Sequence, residues 1–300
     1  MVHLKMSKNT IKGYLFAVLS AVIYGTMPLM AKYIYADGVT PATLVFLRNF
    51  FATVPLGVLA YSERGTLKIK ARLLPKVSLI SLLGCFATPV LLFSSYRYIP
   101  SGTATVFHFV YPAFVVLGGI LFSGEKPKAK SLLCVAMCVG GVALFYSPGE
   151  ALNLTGSLLA LASAVTFSAY VICLSRFAIN DMSGFTFAFY VALISSIASF
   201  IFCICTGELI LPSSIGILIL CVIFSLLVTV GAVVLFQQST FLIGGERASI
   251  LSTLEPITGV ILGIIVFGES FTLPVVIGTV MVISAGVLRV AFDTKKPKAK

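Results

Sequence analysis

Long apolar segments alternate with short polar ones along almost the whole chain. Each apolar run is close to the roughly 20 residues that a helix needs to cross a bilayer, and charged residues, proline or glycine separate one run from the next. Ten membrane-spanning helices are predicted: Gly13–Ile34, Thr40–Tyr61, Pro75–Arg97, Thr103–Phe122, Ser131–Tyr146, Thr155–Phe177, Ser183–Cys205, Ser213–Phe236, Ala248–Phe267 and Leu273–Phe292. The predicted fold class is therefore an all-α polytopic membrane protein, with loops too short to form a soluble domain.

The pattern of the first half returns in the second half. The segment HFVYPAFVVLGGILFSGE, which contains Pro112, matches STLEPITGVILGIIVFGE, which contains Pro256, when the chain is shifted by 144 residues. A shift of 143 residues extends the match upstream and aligns Tyr24 with Phe167. The chain is therefore interpreted as an internal duplication, with one five-helix repeat in residues 1–148 and a second in residues 149–300.

Composition supports the membrane assignment and gives the topology. Hydrophobic residues make up 59% of the chain and charged residues only 10%, whereas a soluble domain carries about 25% charged residues. The net charge of +11 follows from topology rather than from a nucleic-acid partner, because 18 of the 21 basic residues lie on one side when both termini are cytoplasmic. Only Lys32 and Arg97 fall outside, and Arg48 lies within a span.

Five spans per repeat is an odd number, so the two repeats are predicted to be inverted relative to each other. The junctions after the shared Gly-Glu pairs agree with this, since Lys126, Lys128 and Lys130 follow one pair and the uncharged stretch 270–274 follows the other. Inverted repeats bind substrate near the bilayer midplane and work by alternating access.

These features resemble a known family. Tyr24-Gly25 followed by Lys32, Leu47-Arg48, and the twin Pro-to-Gly-Glu segments are similar to the drug/metabolite transporter superfamily, and within it to EamA-type permeases. The resemblance implies secondary transport, frequently export, of amino acids or related small amphipathic metabolites across the plasma (inner) membrane, with no cofactor and with protons as a candidate coupling ion. An uncoupled facilitator is the alternative within transport.

Glu255 is the first candidate for chemistry, because an unpaired carboxylate near the bilayer centre costs at least a few kcal/mol. It is interpreted either as a proton-coupling group in a central cavity or as a structural carboxyl, bonded to backbone near Pro256 or paired with Arg48. The repeat makes Tyr111 the counterpart of Glu255 and His108 the counterpart of Ser252, and the two helix faces are predicted to confront each other. His108 is a second proton-coupling candidate or a hydrogen-bonded packing residue.

Other candidate substrate contacts come from the first helix of each half and from the eighth span. The family resemblance implies that the first helix of each half lies at the cavity. Tyr24, Phe167 and Tyr170 are therefore candidates to line it, with ordinary interhelical bonding as the alternative for the two tyrosines. Gln237 either contacts substrate or marks the membrane interface. Arg48 is interpreted either as a clamp for a substrate carboxylate or as a structural cation. The structural interpretation agrees better with the family resemblance, which implies that the second helix lies outside the cavity.

Pro112 and Pro256 are the hinge candidates, since proline frees backbone carbonyls and permits bending. The sequence contains no metal-binding motif and no arrangement of nucleophile and base. A transporter is therefore expected rather than an intramembrane enzyme or scaffold, and the sequence specifies neither the solute nor the oligomeric state.

Overall fold

The computed structural model describes residues 8–99, 101–123, 129–144, 153–177, 182–267 and 273–294, and within these residues every regular element is helical. We number the helices α1 to α12 along the chain. They are α1 Lys8–Ala36, α2 Pro41–Arg64, α3 Ala71–Ser95, α4 Ser101–His108, α5 Tyr111–Ser123, α6 Ala129–Ala143, α7 Leu154–Arg176, α8 Gly184–Thr206, α9 Ile215–Ile243, α10 Gly245–Ser252, α11 Glu255–Phe267 and α12 Leu273–Thr294.

Six of these helices are long and apolar enough to cross a membrane: α1, α2, α3, α7, α8 and α9. Their outer surfaces carry large aliphatic side chains, including Val54 and Ile215, which are 70% and 73% exposed. Such exposure is unfavourable in water and is what lipid contact requires. The all-helical membrane fold predicted from the apolar runs is confirmed.

Local sequence explains where the long helices begin and end. The side chains of Thr40, Asn153, Ser183 and Ser214 accept a backbone N–H and cap α2, α7, α8 and α9. Gly65 and Gly207 end α2 and α8 in the left-handed conformation, which glycine adopts without steric cost.

Two predicted spans are each built from two helices. The run Thr103–Phe122 was expected to be one helix, yet α4 ends at His108 and α5 begins at Tyr111. The run Ala248–Phe267 divides in the same way between Ser252 and Glu255. In both places the proline is the second residue of the new helix, where its missing N–H is tolerated while the preceding helix is ended.

The other intramembrane prolines have different effects. Helix α1 is interrupted at Thr26, two residues before Pro28, whereas α2 continues through Pro55. Pro89 follows a π-helical segment, Leu82–Ala87, inside α3. A second π-helical segment, Ser225–Val233, lies at the corresponding position of the repeat in α9.

Helices from the two halves of the chain pack against each other in matched pairs. Helix α2 packs on α8, α6 on α12, α1 on α9 and α3 on α7. Hydroxyl groups tie the last two pairs, since Ser20 Oγ donates to the Ala232 carbonyl at 2.8 Å and the Thr88 and Thr166 hydroxyls lie 2.8 Å apart. This packing leaves a small cavity in the middle of the bundle.

The loops at one end of the bundle also join the halves. Arg97 and Glu208 form an ion pair at 2.8 Å, and the Asp37 carboxylate accepts hydrogen bonds from the hydroxyl and the backbone N–H of Ser213. These hydrogen bonds hold the pKa of Asp37 below its usual value.

Candidate functional site

The central cavity is bounded by helices from both halves of the chain. Its volume is about 50 Å³. The residues that line it are Tyr24, Met27, Arg48, Gly84, Thr88, Pro89, Leu92, Phe93, His108, Tyr111, Phe167, Phe236, Ser252 and Glu255.

The two helix breaks meet at this cavity. The Tyr111 hydroxyl, at the start of α5, donates to the Ser249 carbonyl at 3.2 Å and contacts the Ser252 hydroxyl at the end of α10. Ser252 in turn donates to the same carbonyl at 2.9 Å. The structure thus brings together the helix faces that the repeat relates, and a buried hydrogen-bond network joins them.

Glu255 is the first residue of α11 and lines the cavity half-buried. Among the described residues its carboxylate has neither a hydrogen bond nor an ion-pair partner, so neither structural alternative from the sequence applies to this conformation. Its position at a helix N-terminus favours negative charge, because the helix dipole is positive there.

A close helix approach brings Tyr24 to the same place. A Cβ atom added at Gly25 would lie 2.8 Å from the Glu255 carbonyl oxygen, so only glycine allows α1 to pack this tightly against the start of α11. Tyr24, the preceding residue, lines the cavity with Glu255.

Arg48 lines the cavity, which corrects the expectation that the second helix lies outside it. Its side chain is only 3% exposed, its Nε has no hydrogen-bond partner, and the described residues contain no carboxylate within 4 Å of it. Position 48 is fixed from both sides: Ser225 Oγ donates to the Arg48 carbonyl at 2.5 Å, and Asn49 Nδ2 donates to the Cys85 carbonyl at 3.1 Å.

His108 lines the cavity at the end of α4 and is hydrogen-bonded through Nδ1 to Ser163 Oγ at 2.9 Å. The Ser163 hydroxyl proton is directed at the Ala160 carbonyl, 2.6 Å away, so Nδ1 must be the donor in the His108 bond. Neutral His108 therefore carries its proton on Nδ1, and Nε2 is the nitrogen able to accept another.

Aromatic rings form one wall of the cavity. Phe167 packs edge-on against Tyr111 with ring centroids 4.7 Å apart, and it contacts Phe236 at 5.6 Å. Tyr111 is 1% exposed, and Phe236 is equally buried. The Phe167 and Phe236 rings can accept an apolar substituent, while Tyr111 adds a hydroxyl at the edge of this wall.

Tyr170 and Gln237 do not line the cavity in this structure, which differs from their expected role as substrate contacts. Tyr170 lies behind the wall and packs on Phe167 and Phe236 at 5.3 and 6.2 Å. Gln237 follows Phe236, and consecutive helical residues point about 100° apart, so a helix that directs Phe236 inward directs Gln237 away. The Gln237 amide lies beside Tyr170 but is buried without a hydrogen bond.

Several lining residues were not predicted from the sequence. They are Phe236 on α9, Met27 on α1, and the α3 residues Gly84, Thr88, Pro89, Leu92 and Phe93. The available signal was Gly84, because a glycine inside an apolar span often marks a close approach. Here the Tyr170 ring occupies the space that a side chain at position 84 would fill.

The cavity brings charged and polar side chains together inside an apolar helix bundle. It contains one arginine, one carboxylate, one histidine and several hydroxyls, and the described residues contain no His, Cys, Asp and Glu cluster able to hold a metal ion. Together, the apolar exterior and the partly polar cavity define a helical membrane protein with charged groups in its interior.

Comparison with known proteins gives the family. The EamA-like transporter family matches the chain twice, over residues 11–147 and 154–290, so the chain belongs to this family. It is 27% identical to an uncharacterized inner membrane transporter of Salmonella typhimurium, over 96% of this chain and 98% of that protein. It is also 31% identical to a probable terminal-alkyne amino-acid exporter of Streptantibioticus cattleyicolor, over 45% of each protein.

The fold also matches a solved structure. A crystal structure of a protein of 19% sequence identity superimposes with a TM-score of 0.73, covering 95% of this chain and 99% of the other. The names of the relatives describe transporters and not enzymes.

Proposed function

We propose that the protein is a secondary transporter that exports amino acids or related small organic metabolites by alternating access. The observation that carries this proposal is the central cavity, where Arg48 and Glu255 face the same small space from different halves without forming an ion pair. Intramembrane charges are costly, and a transported polar solute gives them a function.

Ten spans in two inverted repeats, residues 1–148 and 149–300, are part of the proposal. Four spans are added to the six long helices: α4 with α5, α6, α10 with α11, and α12. The matched packing pairs, the two helix breaks and the two π-helical segments at equivalent positions support this arrangement. The two family matches also fall on either side of the proposed boundary.

We further propose that both termini are cytoplasmic in a plasma or inner membrane. The support is the distribution of basic residues, with 18 of 21 on the cytoplasmic side in this orientation. The Salmonella relative is named as an inner membrane transporter, which agrees with the location.

Transport requires the cavity to enlarge, because its volume of about 50 Å³ is well below the roughly 300 Å³ of the smaller ligand pockets. Pro112 and Pro256 are proposed as hinges, since each follows a helix break that touches the cavity. A bend at either break would move Tyr111 relative to Ser252 and so alter access from one side.

Proton coupling is proposed through Glu255, with His108 as the second candidate. Protonation of Glu255 removes a negative charge from the cavity. If the outward-open and inward-open states differ in their affinity for this proton, a pH gradient shifts the equilibrium between them and drives transport. His108 Nε2 is available to accept a proton, as its Nδ1 is already bonded to Ser163.

The proposed function is tested in proteoliposomes loaded with a radiolabelled mixture of L-amino acids. Flux that exceeds empty liposomes and rises with an imposed pH gradient is expected. Flux without a response to the gradient would assign an uncoupled facilitator, and no flux of any amino acid would contradict the proposed substrate class.

A further inference from the structure

Among the described residues that line this site, Arg48 is the only arginine or lysine. The guanidinium is always charged and presents five N–H donors in a planar fork. It is nevertheless only 3% exposed, and its Nε has no hydrogen-bond partner among the described residues. The guanidinium therefore keeps N–H donors for a ligand or for water in the cavity, and a carboxylate is the acceptor that matches both its charge and its planar fork.

The cavity contains one possible protein anion, and it is not used. Glu255 lines the same cavity, and Tyr24 lies within electrostatic range of both charges, yet Arg48 and Glu255 are more than 4 Å apart. Two opposite charges that face one low-dielectric space without touching are a complementary arrangement for a ligand that carries both signs.

We propose that Arg48 binds the carboxylate of a zwitterionic α-amino acid, while Glu255 binds the ammonium group. This inference rests on the proposed transport function and specifies its substrate class. Arginine matches a carboxylate through two parallel N–H···O bonds, which sets both the charge and the orientation of the ligand. The amino acid side chain then points to the aromatic wall of Phe167 and Phe236.

The rigidity of position 48 supports a specificity role. The backbone there is held between the two π-helical segments, by Ser225 from α9 and by the Asn49 bond to Cys85 of α3. The first bond uses the backbone carbonyl of Arg48, and the second uses the Asn49 side chain. A substitution of the Arg48 side chain therefore leaves both bonds in place. Arg48→Gln and Arg48→Lys are therefore expected to fold.

The test compares ligands with and without the carboxylate. Radiolabelled L-threonine, L-leucine and L-phenylalanine, and the amide of each, are assayed for uptake into proteoliposomes that contain the wild type, Arg48→Gln or Arg48→Lys. At least one acid is expected to be transported by the wild type, and its amide to show an apparent KM roughly tenfold higher or more, since a charge-assisted hydrogen-bond pair is lost. Arg48→Gln is expected to raise the apparent KM of the acid by about the same factor and that of the amide by much less, since the amide keeps only one neutral acceptor for Arg48.

The controls separate the possible failures. Wild-type protein that transports an acid and its amide equally well would overturn the inference without any variant. An equal change for acid and amide in Arg48→Gln, with Arg48→Lys behaving the same way, would assign Arg48 a structural role. Wild-type protein that transports none of the three acids would instead contradict the proposed amino-acid transport itself.

Discussion

The hydroxyl of Tyr111 is expected to contribute to substrate binding because it joins the two helix breaks at the cavity. Tyr111→Phe removes this hydroxyl and keeps the ring that packs on Phe167. The Ser249 carbonyl keeps Ser252 as a donor at 2.9 Å, so no buried acceptor is left without a partner. The expected loss of folding free energy is therefore that of one net hydrogen bond, about 0.5 to 1.5 kcal/mol.

A matched control is available at Tyr190. Its hydroxyl donates one hydrogen bond to the Leu67 carbonyl at 2.9 Å, and it does not line the cavity. Tyr190→Phe thus removes the same chemical group and a similar bond at a different place. Both variants are expected to lose similar stability, and only Tyr111→Phe is expected to change the apparent substrate affinity, by about 2- to 13-fold.

Stability and transport are measured on the same preparations. The chain has no tryptophan, but Cys85, Cys134, Cys138, Cys203 and Cys221 are buried, so a thiol-reactive dye reports unfolding on heating. Proteoliposome uptake gives the apparent KM. An equal KM shift in Tyr190→Phe, or no shift in Tyr111→Phe, would refute the role of the helix breaks in binding.

Two further predictions address packing and topology. Gly84→Ala is expected to destabilise the protein by about 1 to 3 kcal/mol, because the new Cβ would lie within 2.6 Å of Tyr170 ring carbons. In the control Gly140→Ala, the new Cβ meets only the flexible end of Met281 at 3.3 Å, so this variant should be neutral or mildly stabilising. Equal thermal unfolding of the two variants would contradict this packing. In a cysteine-free background, a cysteine at position 270 is expected to react with an impermeant reagent from outside, and one at position 128 only after permeabilisation. The same sidedness at both positions would reject the inverted repeats.

The general architecture followed from the sequence because lipid imposes simple rules. Apolar runs of sufficient length must form helices, since the bilayer offers no other partner for the backbone, and the helical fold and the EamA family are confirmed. The ten-span count and the residue roles remain predictions. In the structure Tyr111 contacts Ser252 at the end of α10, next to Glu255, its counterpart in the predicted repeat.

Details of the cavity depended on information that a hydropathy pattern does not contain. The breaks after His108 and Ser252 arise from a proline in the first turn of the following helix. A pattern of apolar residues cannot distinguish such a break from a bend within one continuous helix. Gln237 was expected to contact the substrate, and Phe236 was not. Rotating the helix by one residue exchanges which of the two faces the cavity, and the hydropathy pattern does not fix this rotation. Arg48 reaches the cavity through tertiary packing against α3 and α9, which no local pattern encodes.

The most direct test of the proposed mechanism is the response of Glu255→Gln to a pH gradient. The change preserves shape and removes the ionisable group, and Glu208→Gln is the matched control, since Glu208 lies outside the cavity in an ion pair with Arg97. Uptake of the L-amino-acid mixture into proteoliposomes is measured with and without the gradient. The wild type and Glu208→Gln are expected to be accelerated by the gradient. Glu255→Gln is expected to exchange substrate at equal pH with a raised apparent KM, since the ammonium contact is lost, and to show no acceleration by the gradient. A folded Glu255→Gln protein that keeps the full acceleration would contradict proton coupling through Glu255.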